Sequence, residues 1–395
     1  MRPFIIGAAV LGSFWMLTGC VASLEAEAVA PAFAVPQAPE TVRVRVLYTR
    51  EPATLSCAGA YQFQPRNGGR LYARRGSTRV RAMRGGMVFG QKSLKGDVVA
   101  TPENSTDTLK LNGRKYRGIL VFHPAGSGRY DVVEYLGLDE YLYGVLPKEV
   151  DPTWPADALK AQAVVSRTYA LYNKLRNVAE RFDVSNGVLD QVYGGQSVES
   201  PESNRAVDET HGDALQDEAG QLVQTFFHSS CGGHTELPEC VWKSAAQNDV
   251  FGIVPDGDYC SADPHYKWQL TVSYSTLRAR LRRAGLRIGE IRGLSVKQKS
   301  ASGRAEIFSV KTSKEAVEVG GNRFRLALGP ETMRSTLLVN MKAGKKSVTF
   351  EGRGWGHGVG LCQWGARGRA LAGHGYKKIL EAYYPKAKLV VIKGS

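Results

Sequence analysis

Glu149 stands in the stretch Pro147-Lys148-Glu149-Val150-Asp151-Pro152-Thr153-Trp154-Pro155. Its three prolines predict a rigid, non-helical connection that holds the carboxyl group on a loop. Tyr143 and Trp154 are its potential walls. An apolar wall strips water from a carboxyl group and raises its pKa, which suits a general acid near neutral pH. A solvated glutamate paired with Lys148 or an arginine fits the same spacing.

A second stretch, Phe226-Phe227-His228-Ser229-Ser230-Cys231-Gly232-Gly233-His234, runs on to Cys240 and Cys260. His228, Cys231, His234 and Cys240 offer four nitrogen or sulfur ligands within 13 residues, enough for a tetrahedral zinc site. Cys260 is the alternative ligand, or the disulfide partner of Cys240 in an oxidising compartment. Histidines that only line a cleft are a further reading. The third stretch, Gly352-Arg353-Gly354-Trp355-Gly356-His357-Gly358-Val359-Gly360-Leu361-Cys362-Gln363-Trp364, implies close backbone approach and positive φ. Trp355, His357, Gln363 and Trp364 would then be displayed from a stiff loop. No Lys-Ser/Thr follows, so it is not a phosphate cradle. Aromatic faces beside amide and imidazole groups suit sugar rings, and a tightly packed turn is the plainer alternative.

The elements that position these stretches are mixed. Residues 42–54 alternate apolar and polar as a half-buried strand does, and short strand-like runs continue to about residue 135. After Pro155, the small and apolar residues Ala158, Leu159, Gln162, Ala163, Ser166 and Tyr169 recur at helical spacing, which predicts a helix over 156–175 with one closely packing face. A second helix is expected over 275–285, strands over 292–350 including Phe324, and a last helix over 364–383. The fold class is α+β: a β-rich domain with a central helix after the Pro-x-Glu loop and an inserted α/β lobe. The expected divisions are 42–135 (β-rich front), 136–270 (catalytic core), 271–350 (inserted lobe) and 351–392 (glycine loop and C-terminal helix).

The chain has 395 residues, 43% of them hydrophobic, and a formal net charge of +15. That composition excludes a disordered or multi-span membrane protein, and the charge points to polyanionic partners. Arg2, an apolar run to Leu17 and then Leu17-Thr18-Gly19-Cys20 read as a secretory signal over 1–19. Leu-Thr-Gly-Cys is similar to the bacterial lipobox, in which the cysteine, here Cys20, is lipidated. Residues 20–41, rich in Ala and Pro, would be a flexible tether. The expected location is therefore membrane-anchored and exported, facing the periplasm or cell wall, and nucleic acid is set aside as a partner. With Cys20 lipidated, five of the six cysteines remain, so at least one is unpaired within the chain.

Together these stretches resemble the stage II sporulation protein D family, which includes the amidase enhancers. The resemblance is carried by 136–145, Pro147-Lys148-Glu149, Trp154-Pro155, Ala158-Leu159-Lys160-Ala161-Gln162-Ala163-Val164, Gln191-Val192-Tyr193-Gly194-Gly195, 227–233, 354–360 and Ile379-Leu380-Glu381-Ala382-Tyr383-Tyr384-Pro385. It covers about residues 42–392. The resemblance implies a peptidoglycan lytic transglycosylase acting on glycan strands stripped of stem peptides, with Glu149 as the catalytic residue. Tyr193, Ser230, His357 and Gln363 would position the sugar. No cofactor would be required, although zinc has a precedent in the family. A non-catalytic enhancer of a cell-wall amidase is the second reading. The chain departs from the family at Cys231 and Cys362, where serine is common, and at Val150 and Leu361, where methionine is usual.

Overall fold

The computed structural model describes residues 28–33, 41–187, 190–242 and 250–392. The expected signal sequence, Cys20 and most of the tether lie outside these residues. Among the described residues, no helix is long and apolar enough to cross a membrane.

Alternation builds the front of the molecule. In Thr41–Thr49 the valines Val42, Val44 and Val46 point inward while Arg43 and Arg45 stay at the edge. This strand pairs antiparallel with Arg129–Gly137, and the order continues through Ile119–Gly126, Val98–Pro102, Ala53–Pro65, Gly69–Met83, Gly86–Phe89 and Lys92–Lys95. The sheet closes over a core that includes Leu55, Phe63, Phe89, Leu120 and Phe122.

Strand Arg129–Gly137 runs straight into helix α1 (Leu138–Glu149), where the Glu140 carboxylate accepts from the Gly137 N–H at 3.1 Å. The expected non-helical loop around Glu149 is therefore corrected. Pro147 sits inside the last turn, where it removes a single backbone donor, and the Val150 N–H still closes onto the Leu146 carbonyl at 2.9 Å. Helix α2 (Ala156–Arg176) follows as expected but is buried on more than one face, with Leu159, Gln162, Val164, Val165, Ser166, Arg167 and Thr168 all covered. It packs against α1, α3 (Pro201–Asp208), α7 (Gln363–Leu371) and α8 (Tyr376–Tyr383). A short helix, α4 (Pro238–Val241), lies between α3 and the next lobe.

A separate core, with Leu277, Phe308, Phe324, Val348 and Phe350 at its centre, organises residues 267–353. It holds α5 (Tyr274–Arg283), two three-stranded sheets and α6 (Gly321–Leu328). Phe324 thus lies on a helix, not in a strand; Phe324 and Leu328 share one buried face at four-residue spacing. The expected single C-terminal helix is likewise two, α7 and α8, broken around Gly373, whose φ of 84° favours glycine. The fold is α+β.

Candidate functional site

Helix α1 is held from two sides, at its start and along its middle. Arg167, fully buried on α2, donates to Asp139 Oδ1 at 2.9 Å and to the carbonyls of Val207 and Asp213 at 3.1 and 3.3 Å. Residues 191–195 are stitched onto α1: the Gly194 N–H donates to the Gly144 carbonyl at 2.9 Å, and Tyr141 Oη donates to Gln191 Oε1 at 3.1 Å. Gly144 leaves the room that the Tyr193 ring fills. These anchors aim the Val192 N–H at Glu149 Oε1, 2.7 Å away. Glu149 is partly buried, and loss of hydration raises its carboxyl group to about 7 against the opposing pull of the Val192 N–H and Lys148. Tyr141 and Tyr169 lie near enough to feel its charge. The group can therefore carry a proton at neutral pH and give it up to a substrate.

Five residues beyond Glu149, the half-buried Trp154 meets Trp364 of α7 edge to face, with ring centroids 5.0 Å apart. The Arg367 guanidinium stands 5.9 Å from the Trp154 centroid and 5.2 Å from that of Trp364. Gln363 reaches under this surface, its Nε2 donating to Gln162 Oε1 at 3.4 Å, and Gln162 in turn donates to Ser166 Oγ at 3.1 Å. Trp154 and Gln363 are thus brought together at the start of α2. Gln363 is 7% exposed and acts from beneath.

Other expected site residues lie elsewhere. Tyr193 is 2% exposed, with its hydroxyl donating to Glu134 Oε2 at 2.8 Å, and offers no face to a sugar. Ser230 is equally covered and donates to Asp263. Tyr143 donates to Asp208 on α3 beneath the Arg117 guanidinium. His357 Nδ1 accepts from the Val359 N–H at 3.0 Å, and its ring packs on Trp242 and His228. Burial, with Arg325 and Arg304 nearby, pushes its pKa down to about 3, so the ring is neutral. The glycine loop is itself a packing device: at Gly356, φ 122°, a Cβ would come within 2.6 Å of the His228 Cβ.

The expected ligand set His228, Cys231, His234 and Cys240 is not brought together. His228 Nδ1 faces the Val359 carbonyl at 3.1 Å and His234 Nε2 the Ser302 carbonyl, while Cys240 lies beside Glu236. Cys240 and Cys260 are free thiols in different surroundings, not a disulfide. Instead Cys231, Asp256, Cys260 and Cys362 converge, all buried, with their ligand atoms within 4.8 Å of one another. Burial pushes the Cys231 and Cys362 thiols up, and their hydrogen bonds to Cys260, with the Gly232 and Gly233 N–H groups, pull Cys260 down.

Sequence reasoning passed over Val192, Tyr169, Arg367 and Asp256. Val192 acts through its backbone, which no side-chain pattern shows. Arg367 was detectable as the residue three beyond Trp364 on a helix, where side chains are neighbours.

The profile of the family described as "Stage II sporulation protein" matches residues 126–216. A "Domain of unknown function (DUF8618)" matches 243–360. An uncharacterised protein of Brachyspira hyodysenteriae is 35% identical over 285 residues, which are 72% of this chain and 74% of the relative. The amidase enhancer of Bacillus subtilis is 30% identical over 339 residues, and the match spans 46% of that longer protein. Stage II sporulation protein D of the same organism is 29% identical over 273 residues, 64% of this chain and 74% of the relative. Helices α1 and α2, with Glu149 the last residue of α1, fall inside the matched family segment, and the chain belongs to the stage II sporulation protein D and amidase enhancer family.

Proposed function

We propose that the protein is a lytic transglycosylase that cleaves the bond between N-acetylmuramic acid and N-acetylglucosamine in peptide-stripped peptidoglycan. The observation that carries this reading is the Glu149 carboxyl group, raised to about 7 and steadied by one backbone N–H at 2.7 Å. Protonated, it gives its proton to the glycosidic oxygen, and the C1–O bond breaks. As a carboxylate it then takes the proton of the muramic acid C6 hydroxyl, whose oxygen closes onto C1 to give the 1,6-anhydro sugar. The nucleophile belongs to the substrate, so a second enzyme carboxylate is not needed, in contrast to paired-carboxylate hydrolysis. Trp154 and Trp364 supply a face for a sugar ring, and Arg367 a cation for the lactyl carboxylate. An exported lipoprotein anchored through Cys20 places this chemistry at the cell wall.

Purified protein incubated with denuded glycan strands is expected to yield 1,6-anhydro ends by mass spectrometry, and Glu149→Gln to yield them at least about a hundredfold more slowly. Undiminished product from the variant would remove Glu149 from the mechanism. The second reading, an enhancer, is favoured by the amidase enhancer relative; absence of product with stimulation of an added amidase would select it.

A further inference from the structure

We propose that Cys231, Asp256, Cys260 and Cys362 bind one zinc ion, a structural site that pins the start of α7 to residues 227–233. The four ligand atoms already lie within 4.8 Å of one another. Cys231 Sγ lies 3.5 Å from Cys260 Sγ and 3.2 Å from Asp256 Oδ2. Zinc bonds of about 2.3 Å to sulfur and about 2.1 Å to oxygen, at tetrahedral angles, demand edges of about 3.8 Å between sulfurs and about 3.6 Å from sulfur to oxygen. Three thiolates and one carboxylate in a closed tetrahedron select zinc over the hard cations, which take oxygen ligands. All three cysteines are 0% exposed and Asp256 is 1% exposed, so no coordination position is open to water and the role is structural.

The surroundings are those of a ligand set held in place. Asp256 Oδ1 is occupied by Tyr383 Oη at 2.7 Å and Arg369 Nε at 3.1 Å, which leaves Oδ2 turned toward the sulfurs. Cys362 Sγ accepts from the N–H groups of Cys231 and Gly365, each at 3.2 Å. A side chain at Gly365 would collide with Asp256 and Tyr383. Charge points the same way. Arg304 is 2% exposed, donates to the carbonyls of Cys231 and His234, and has two nitrogens, Nε and Nη1, with no partner. A zinc ion with three thiolates and a carboxylate carries two net negative charges, and two guanidiniums stand beside it: buried Arg304, which feels the cysteine charges, and half-buried Arg369, paired with Asp256 at 3.0 Å. A disulfide between any two of the three sulfurs would leave the third thiol buried beside the Asp256 carboxylate, whose cation is then Arg369 alone.

The site is independent of the reaction proposed for Glu149 and is tested without it. The full chain purified without chelator is expected to hold one zinc per chain by inductively coupled plasma mass spectrometry. Cys240→Ser should keep it, whereas Cys260→Ser and Asp256→Asn should each lose most of it. Should the ligand variants fail to fold, zinc-edge X-ray absorption of the wild type reads the site directly, with three sulfur scatterers at about 2.3 Å and one oxygen at about 2.1 Å expected. Nitrogen scatterers in place of sulfur, a disulfide among Cys231, Cys260 and Cys362 by mass mapping, or metal-free protein after purification in zinc-containing buffer would each overturn the proposal.

Discussion

Two glutamates bracket α1, and burial raises both carboxyl groups to about 7. Glu134, on the strand before the helix, is fully covered; it accepts from the Gly118 N–H at 3.0 Å and from Tyr193 Oη at 2.8 Å. Glu149, the last residue of the helix, is only partly covered, and its hydrogen bond comes from the Val192 N–H. Neighbouring residues of one segment, Val192 and Tyr193, thus hold one carboxyl each. A raised pKa alone does not separate an acid catalyst from a structural group. What separates them is whether the proton can reach a substrate.

The largest expected effect breaks the pair apart by chemistry. Removing a general acid–base group costs about a hundred- to ten-thousand-fold in rate, so Glu149→Gln should lower anhydro-sugar formation by that much. Wild-type activity should fall as pH rises through about 7, because the acid must be protonated, and kcat/KM measured from pH 5 to 9 checks this. The stability consequence has the opposite sign from that of a salt-bridged carboxylate. The folded pKa lies above the unfolded value of about 4.3, so Glu149 lowers stability progressively as pH rises from there through about 7. Glu149→Gln is therefore expected to be more stable than wild type at pH 8, by at most about 4 kcal/mol, and little changed at pH 4. A glutamine that unfolds the protein would assign Glu149 a structural task like that of Glu134.

Glu134→Ala should show the converse. It strands the Gly118 N–H and the Tyr193 hydroxyl in a covered space and leaves a cavity, costing about 2–4 kcal/mol by urea denaturation. Rate per folded molecule should stay within about tenfold of wild type, the change that 1.4 kcal/mol of barrier would make. A thousandfold loss with the fold intact would move the catalytic assignment toward Glu134.

How much of this contrast is legible in the sequence depends on what each feature needs. Alternation from residue 42 and helical spacing in Ala156–Arg176 reflect local burial; the helix forms as read, whereas the run 42–54 breaks at residues 50–52 into strands Thr41–Thr49 and Ala53–Pro65. Glu149 stood out because Pro147 and Trp154 flank it, although Pro147 lies inside the helix and does not end it. The burial of Tyr193 and Ser230 was not legible because side-chain type does not reveal depth: their hydroxyls donate to Glu134 and Asp263. The Cys231, Asp256, Cys260 and Cys362 cluster was out of reach because its members lie up to 131 residues apart and meet only when residues 227–228 pair with 361–362.

The smallest expected effect tests the surface proposed for the glycan, the Trp154–Trp364 pair, which has no counterpart in the fully covered setting of Glu134. Trp154→Ala removes one of the two rings that Arg367 spans, and should raise KM for denuded glycan about tenfold, equivalent to 1.4 kcal/mol, with kcat changed less. Salt adds a milder probe. The chain carries a formal +15, and denuded glycan repeats a carboxylate on every muramic acid. Raising ionic strength shortens the screening length from about 10 Å at 0.1 M to about 3 Å at 1 M. Binding should therefore weaken with salt while kcat at saturating glycan holds, since proton transfer from Glu149 needs no long-range field. If salt lowered kcat and left KM alone, the basic charge would act at the carboxyl group and not along the glycan, and Arg367 would be the first residue to exchange for leucine.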